Sequence, residues 1–430
     1  MTEISPEKPP EEGPPPQRTG GDYAPSVAAR LALWQKAGGI VTPLLTVLVA
    51  FVMGGLVVLI TTGKNPLQTY KEIFRGTGLD WFLQVGSHDI GLPWTDARVW
   101  FPWNTDDITS QAAFNLQQTL LIWIPLVLAG LAVAFAFRCG MFNIGGQGQF
   151  FVGTYVAVYV GTHFAGLSHW PHVIIALVLA SLAGALWAGI AGLLKATVGA
   201  HEVISTIMLN WIAIYVGAFL FGRDGPLQNE ADVAVPVSND VLDQAKLNVF
   251  WGDPILQGVH IGFFVALAAL VAYWLTLNRT KLGYEVKAVG YNPEAARYGG
   301  INVAKNYFLA MAIAGSFAGL AGGLDILGWQ FRIGVLDIYA STIGFTGIAV
   351  ALLGRNTAVG VMLAGLLFAA LIQGTSTRNL DPNTFRPELA TNLTQIIQGL
   401  VVLFVGADVL ILWIWNQRRK MGLGKGAVRA

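Results

Sequence analysis

Residues 118–137 read QTLLIWIPLVLAGLAVAFAF, a run of 20 residues without one charged side chain. A helix of this length rises about 30 Å, which is the thickness of the hydrocarbon core of a bilayer. Inside lipid, the backbone hydrogen bonds of such a segment must close within the segment itself, and a helix achieves this. The stretch therefore predicts a transmembrane helix, and it sets the class of the whole chain.

Similar apolar runs recur along the 430 residues, of which 54% are hydrophobic and only 12% charged. Soluble domains usually carry about twice that charged fraction, so the composition excludes a soluble globular protein. The short alternating segments of a membrane β-barrel do not occur. We therefore predict an all-α polytopic membrane protein with about ten spans, at 40–61, 118–137, 147–165, 172–194, 203–222, 259–277, 306–325, 340–354, 357–374 and 395–415.

Positive charge predicts the orientation of these spans. With the N-terminus inside, the predicted inner segments hold 17 of the 26 Lys and Arg, and cytoplasmic loops normally carry that excess. Both termini are therefore expected in the cytoplasm. The predicted organisation has three parts: a disordered Pro/Glu-rich tail at 1–35, a transmembrane domain at 36–417 and a basic cytoplasmic tail at 418–430. Within the transmembrane domain we predict outer loops at 62–116 and 223–258 and a cytoplasmic loop at 278–305. Each outer loop either lies along the interface, receives an extracytoplasmic partner or forms a solvated cap.

The stretch at 141–151, MFNIGGQGQFF, concentrates glycines and amides between two predicted spans. Glycine permits a non-helical backbone, and amides offer both donors and acceptors. Irregular backbone at membrane depth is tolerated only where it packs in protein or lines a wet cavity. We therefore expect a broken or re-entrant region near 140–150, and a second one near 340–354. Candidates for the path of a neutral polar solute are Asn143, Gly145, Gly146, Gln147, Gln149 and Asn210. A tight cytoplasmic turn, and for Asn210 a bond between helices, are the alternatives.

The cytoplasmic loop contains NPEAARYG at 292–299, which has the pattern of one short capped helix. Asn292 suits the N-cap, Pro293 the first helical position and Gly299 the end. Glu294 lies where the positive end of the helix dipole favours an anion. We interpret the segment as a helix presented to a partner, with an ordinary amphipathic connector as the alternative.

Several classes of chemistry lack a motif in this chain. No phosphate-binding loop G-x-x-x-x-G-K-[ST] occurs, so the chain is not expected to hydrolyse nucleotide, and no nucleophile–base constellation points to an enzyme. The single cysteine, Cys139, excludes an internal disulfide. His163, His169 and His172 bracket an outer turn without a carboxylate, which is a weak basis for a metal site. Ionisable residues at mid-membrane depth are too few for a proton relay.

Four segments together resemble the permease subunits of bacterial ABC importers in the branched-chain amino acid and simple-sugar group. They are GMFNIGGQGQFFVG at 140–153, HEVISTIMLNWIA at 201–213, GYEVKAVGYNPEAARYGGI at 283–301 and GFTGIAVALLGRNTAVG at 344–360. The likeness covers residues 115–410, and the first two segments are most similar to the nucleoside-importing branch. One departure is Gln147, where the family's FNIG-x-E-GQ pattern has an acidic residue.

This resemblance implies a permease of the bacterial cytoplasmic membrane that moves nucleosides or a related small polar solute inward by alternating access. The implied partners are an ABC ATPase subunit, a second homologous permease or another copy of this chain, an extracytoplasmic solute-binding lipoprotein and membrane lipid, with no nucleic acid. ATP and Mg would be used by the ATPase, and no cofactor is expected on this chain. A simple-sugar permease, an ion-coupled secondary transporter and a non-transporting scaffold are the alternatives.

The resemblance also implies that the loop 278–305 docks on the ATPase. The residues expected to couple the two proteins are Tyr291, Asn292, Pro293, Glu294, Ala295, Ala296, Arg297, Tyr298, Gly299 and Ile301.

Overall fold

The computed structural model describes residues 47–61, 63, 65–83, 89–91, 98–100, 111–231, 234–376, 392, 395–400 and 403. The predicted tails 1–35 and 418–430, and most of the last predicted span, lie outside the described residues. The helices, in chain order, are α1 Val47–Thr61, α2 Pro66–Gly76, α3 Gln111–Arg138, α4 Gly146–His163, α5 His169–Val198, α6 Glu202–Phe221, α7 Gly262–Arg279, α8 Lys281–Tyr291, α9 Pro293–Tyr298, α10 Val303–Asp325, α11 Val335–Ala340, α12 Ile343–Leu353 and α13 Ala358–Gly374. Residues 395–400 are also helical.

Six of the described segments are long and apolar enough to cross a bilayer, against the ten that the sequence predicts. They are α3, α5, α6, α7, α10 with the π-helical turn Ile326–Gln330 that continues it, and α11 with α12. A seventh exists if α1 and α2, which are bent by 115° relative to each other, count as one span. Two more predicted spans coincide with α4 and α13, but α13 has only 17 residues and α4 opens with glycines and amides. The described part of the chain is thus a helical, multi-pass membrane domain.

Short strands in the two predicted outer loops, the second of which extends to residue 260 in the structure, modify the expectation of an all-α chain. In the first loop, β1 Asp89–Gly91 pairs antiparallel with β2 Arg98–Trp100. In the second, β3 Val249–Trp251 pairs antiparallel with β4 Val259–His260. Extended backbone away from the hydrocarbon core pairs with itself, because its N–H and C=O groups need partners.

The second outer loop is bonded to the end of α10. Its backbone N–H groups at Ser238, Val241 and Leu247 donate to the carbonyls of Ile333, Phe331 and Leu327, each at 2.8 Å. These acceptors lie in and just after the π-helical turn, where the regular bonding of the helix is interrupted. The loop therefore supplies partners for groups that the helix leaves free, so it is an ordered part of the membrane domain.

Helix α10 lies at the centre of the packing, between α3, α4 and α5. Its contact with α4 and α5 depends on small residues: a Cβ atom at Gly319 would overlap the carbonyl of Ala180, and one at Gly153 would overlap the backbone of Gly319. Gly184 on α5 meets Gly315 and Gly319 in the same way. Close backbone approach of this kind replaces the hydrophobic effect as the source of helix association in lipid.

Candidate functional site

The predicted break between the second and third spans is present in the structure. Helix α3 ends at Arg138, residues 141–144 lack regular structure, and α4 begins at Gly146. Asn143, which lies inside this segment, forms hydrogen bonds that fix its shape. Its Oδ1 accepts one bond from the N–H of Gly145 at 3.0 Å and another from Nε2 of Gln149 at 2.9 Å. Its Nδ2 donates to Gln149 Oε1 at 2.9 Å. The two amides therefore form a reciprocal pair that fixes the segment against the first turn of α4.

Asn210 on α6 holds the same segment from outside. Its Oδ1 accepts the N–H of Gly148 at 2.8 Å, and its Nδ2 donates to the carbonyl of Ile144 at 2.9 Å. The first N–H groups of a helix have no partner within the helix, so Asn210 supplies one for α4 from a neighbouring helix. A Cβ atom at Gly148 would come within 3.0 Å of Asn210 Cα, which explains the small residue there.

Gln147 connects α4 to the second break, between α11 and α12. Its Nε2 donates to the carbonyl of Ser341 at 2.8 Å, and its Oε1 accepts the N–H of Gly344 at 2.7 Å. An ionised carboxylate accepts hydrogen bonds but does not donate them. The amide of Gln147 therefore fits both backbone groups, where an ionised Glu would bond only one.

The structure brings all the predicted solute-path residues together, buried where α4, α6 and α12 meet. We call Asn143, Gln147, Gln149 and Asn210 the amide junction. Each of its side chains both donates and accepts within the chain in this conformation. The junction thus holds two breaks and three helices together, and contact of these residues with a solute stays a prediction.

Replacing Asn210 is expected to weaken the fold. Asn210→Leu leaves the Gly148 N–H and the Ile144 carbonyl without their partners, and it should lower the free energy of unfolding by about 2–4 kcal/mol. The measurement is the thermal unfolding midpoint of the purified permease in detergent. Ile212→Leu, an exposed position on the other face of α6, is the matched control and should keep the wild-type midpoint. Equal midpoints for both variants would contradict the structural role of the junction.

The segment 278–305, which is predicted to be cytoplasmic, contains the capped helix that its sequence predicts. Asn292 Oδ1 accepts the N–H groups of Glu294 and Ala295, each at 3.0 Å, at the start of α9. At the other end, Gly300 N–H donates to the Arg297 carbonyl and Ile301 N–H to the Ala296 carbonyl, which is a Schellman arrangement. The left-handed residue that this motif requires is Gly300, with a φ of 79°, and Gly299 is the C-cap before it.

Helix α9 buries one side and presents the other. Ala296 is buried, and Ile301 packs on the hydrophobic core. Tyr291 and Tyr298 are 88% and 93% exposed, far more than large apolar rings usually are in a monomer. Glu294 and Arg297 form an exposed ion pair at 3.3 Å, which contributes little to stability. The exposed rings flank a rigid six-residue helix, a shape suited to insertion into a groove of another protein.

The cytoplasmic segment touches the turn that leads into the first break. Gly290 at the end of α8 lies against the backbone of Arg138, Cys139 and Gly140, so that a Cβ atom at Gly290 would overlap the Arg138 carbonyl. Gly140 takes a φ of 73° in this turn. The coupling candidates and the amide junction are therefore connected through one backbone contact and about five residues of chain.

Sequence reasoning did not select Arg138, which holds the neighbouring cytoplasmic turn. Its guanidinium donates to the carbonyl of Asn356 from Nε at 3.0 Å and from Nη2 at 2.6 Å, and the Tyr273 hydroxyl donates to the same oxygen at 2.8 Å. Arg355 and Asn356 both have positive φ values in this turn. The signal was present in the sequence, since Arg138 is the only charge at the end of a 28-residue buried helix.

Two of the histidines considered for a metal site bond to backbone carbonyls instead. His172 Nε2 bonds to the Val160 carbonyl at 2.8 Å, and His169 Nδ1 bonds to the Gln244 carbonyl at 3.0 Å. Within the part of the chain that the structure describes, no group of three His, Cys, Asp or Glu side chains is placed to hold a metal ion. These histidines anchor α4, α5 and the second outer loop to one another.

Comparison with known proteins places the chain among transport components. A family model described as branched-chain amino acid transport system, permease component, matches residues 115–406. A guanosine ABC transporter permease of Bacillus subtilis is 38% identical over 72% of this chain and 86% of its own length. A glucose ABC transporter permease of Haloferax volcanii is 36% identical over 85% of this chain and 86% of its own. A nucleoside ABC transporter permease of Lactococcus lactis is 28% identical over 87% and 93%, respectively. No solved structure matches.

Proposed function

The chain belongs to the family of branched-chain amino acid transport system permease components, and from this membership we propose that it carries nucleosides into the cell as one permease of an ATP-driven importer. The family resemblance predicted from the four sequence segments is confirmed. The chain is a transport component without catalytic activity of its own, and it is a multi-pass membrane protein. The ion-coupled alternative is set aside because the relatives above are named as ABC transporter permeases.

The proposal that the substrate is a nucleoside rests on the relatives that are named as guanosine and nucleoside permeases. The segment at 201–213, which resembles the nucleoside-importing branch, contributes Asn210 to the amide junction and is therefore a central part of the fold. Amide-rich surroundings also suit a neutral solute with hydroxyl and amide groups. A simple sugar is the second candidate, favoured by the glucose permease at 36% identity.

Uptake by the complete importer separates the two substrate classes. The permease would be reconstituted in vesicles with its ATPase, partner permease and binding protein, and uptake of labelled guanosine measured with unlabelled adenosine, uridine, ribose or glucose as competitor. We expect tenfold excesses of adenosine to suppress uptake while ribose and glucose leave it unchanged. Competition by ribose or glucose without competition by nucleosides would assign the importer to sugars instead.

Partners follow from membership in this family, which works with an ATPase and a binding protein. We propose that ATP and Mg bind only on the ATPase, that a second homologous permease or another copy of this chain completes the path, and that a lipid-anchored binding protein delivers solute from outside. The proposed membrane is the bacterial cytoplasmic membrane, with both termini inside. The excess of Lys and Arg in the inner segments supports this orientation.

Helix α9 is the proposed coupling element, with Tyr291 and Tyr298 as its anchors on the ATPase. Its caps make it rigid, and its exposed rings supply apolar contact area. Movement of α9 would reach the membrane through Gly290 and the turn at 138–140, and then pass to α4. Gln147 and Asn210 would carry it to α12 and α6, so that the helices around the path change between two arrangements together.

A further inference from the structure

One face of α6 points away from the other helices that the structure describes, and it carries aromatic rings. The exposed side chains follow a helical spacing along it: Ile204, Met208, Trp211, Tyr215 and Phe219. The opposite face is buried and includes Asn210 and Gly217. The rings of Trp211 and Tyr215, one turn apart, stack with a centroid distance of 6.2 Å and an interplanar angle of 30°.

The depth of these rings is unusual for tryptophan and tyrosine. Trp211 is the tenth of the 20 residues of α6, which places it about 14 Å from the start of a helix that is about 30 Å long. Both residue types normally gather at the two membrane interfaces, where their polar ends reach water. Trp211 therefore lies at the middle of the span, and Tyr215 lies one turn further out.

The polar ends of both rings have no partner within the described residues. Trp211 is 51% exposed and Tyr215 is 62% exposed, and neither Trp211 Nε1 nor the Tyr215 hydroxyl forms a hydrogen bond with any described group. An unpaired N–H or O–H facing hydrocarbon is costly, because lipid offers no acceptor. This face is consequently suited to water, solute or protein rather than to lipid chains.

We propose that Trp211 and Tyr215 form a stacking surface for the planar base of a nucleoside as it passes along the permease, which rests on the nucleoside function proposed above. Stacked aromatic rings bind heterocyclic bases through their faces, while the indole N–H and phenol O–H suit the polar edges of a base. Asn210, the neighbour of Trp211, bonds into the irregular segment beside α4. The surface thus adjoins the junction that the coupling helix is proposed to move.

Cysteine labelling tests whether this surface is accessible to water and whether a bound base shields it. Cys139 is the only cysteine and is buried, so Cys139→Ala gives a silent background. Met208→Cys and Phe219→Cys, which flank the two rings on the same exposed face and leave both rings in place, would be introduced into it, with Leu186→Cys on the exposed face of α5 as the control. In the complete importer with ATP, a charged methanethiosulfonate should modify positions 208 and 219 at least tenfold faster than position 186. Guanosine should slow the reaction at least fivefold, and ribose should not.

Three outcomes would overturn the proposal. Labelling at 208 and 219 as slow as at 186 would assign the face to lipid or to the partner permease. Labelling that guanosine does not slow would show a wet surface without a bound base. Protection by ribose equal to that by guanosine would remove the stacking claim. If wild-type importer takes up glucose and no nucleoside, the proposed function fails, and the labelling rates still report whether the surface is wet.

Conservative variants keep the proposal testable should a cysteine variant assemble poorly. Trp211→Leu removes the ring, and we expect guanosine uptake to fall about tenfold, within the range of losses seen for a missing base stack. Trp211→Phe keeps a ring and should hold uptake within about threefold of the wild type. Ile212→Leu, beside it on the same helix, should leave uptake unchanged. Equal uptake for the Leu and Phe variants at position 211 would contradict the stacking role.

Discussion

Exchanging residues 293–296 for Gly-Ser-Gly-Ser is expected to lower ATP-driven uptake more than tenfold while the permease still inserts and assembles. The exchange removes Pro293, which presets the backbone of the first helical position, and two alanines of a helix only six residues long. Each glycine costs a helix about 1 kcal/mol relative to alanine, and a helix this short has little cooperative stability to offset the loss. Helix α9 should therefore unfold, and Tyr298 should lose its fixed position.

Three measurements separate coupling from assembly. Uptake of labelled guanosine and ATP hydrolysis by the complete importer would be measured in the same vesicles, and co-purification of the ATPase would report assembly. Hydrolysis should continue without transport. The matched control is Lys281→Gln at the start of α8, which removes only a long ion pair between its exposed side chain and Glu285 and should keep uptake within about twofold. Normal uptake by the Gly-Ser exchange would refute the coupling role of α9.

Gly319→Leu is expected to destabilise the permease strongly. Even a Cβ atom at this position would overlap the carbonyl of Ala180 and approach the backbone of Gly184 at 3.0 Å. A leucine must separate α10 from α5, because the atoms that it would meet belong to the backbone and cannot turn aside. Its cost should therefore reach or exceed the upper end of the range of about 1–3 kcal/mol that is typical of overpacking. Because α10 lies between three other helices, its displacement should lower both the yield of folded protein and the unfolding midpoint.

Thermal unfolding in detergent, together with the yield of monodisperse protein, checks this expectation. Gly166→Ala is the control: the residue lies in the turn between α4 and α5, no heavy atom lies within 4 Å of a Cβ built there, and the change should be nearly neutral. In a chain of 430 residues, 1 kcal/mol shifts the unfolding midpoint by about 1 °C. A midpoint for Gly319→Leu within about 1 °C of the control would therefore show that the two helices can separate at little cost.

Features set by neighbouring residues were predictable from the sequence. The caps of α9 depend on Asn292, Pro293 and the glycines that follow, all within ten residues, so local chemistry was sufficient to find the helix. The glycine that takes the left-handed conformation at the end of α9 was not predictable, because Gly299 and Gly300 are equally able to adopt it. Only the structure shows that Gly300 does so.

Features set by distant residues were not predictable. Asn210 bonds to groups more than 60 residues away, and Gln147 bonds to groups more than 190 residues away. A sequence shows that an amide is present in a span but not which backbone group it meets. The same limit applies to the second outer loop, whose order depends on carbonyls that the π-helical turn of α10 leaves free.

The amide junction has a consequence for genetics. The outside partners of Gln147 and Asn210 are main-chain groups of Ser341, Gly344, Ile144 and Gly148, and main-chain groups do not change when residues are substituted. A lost side-chain pair can be restored by a second mutation in its partner, but a lost bond to the backbone has no such route. Suppressor selections starting from a defect at position 147 or 210 should therefore return revertants at the same codon.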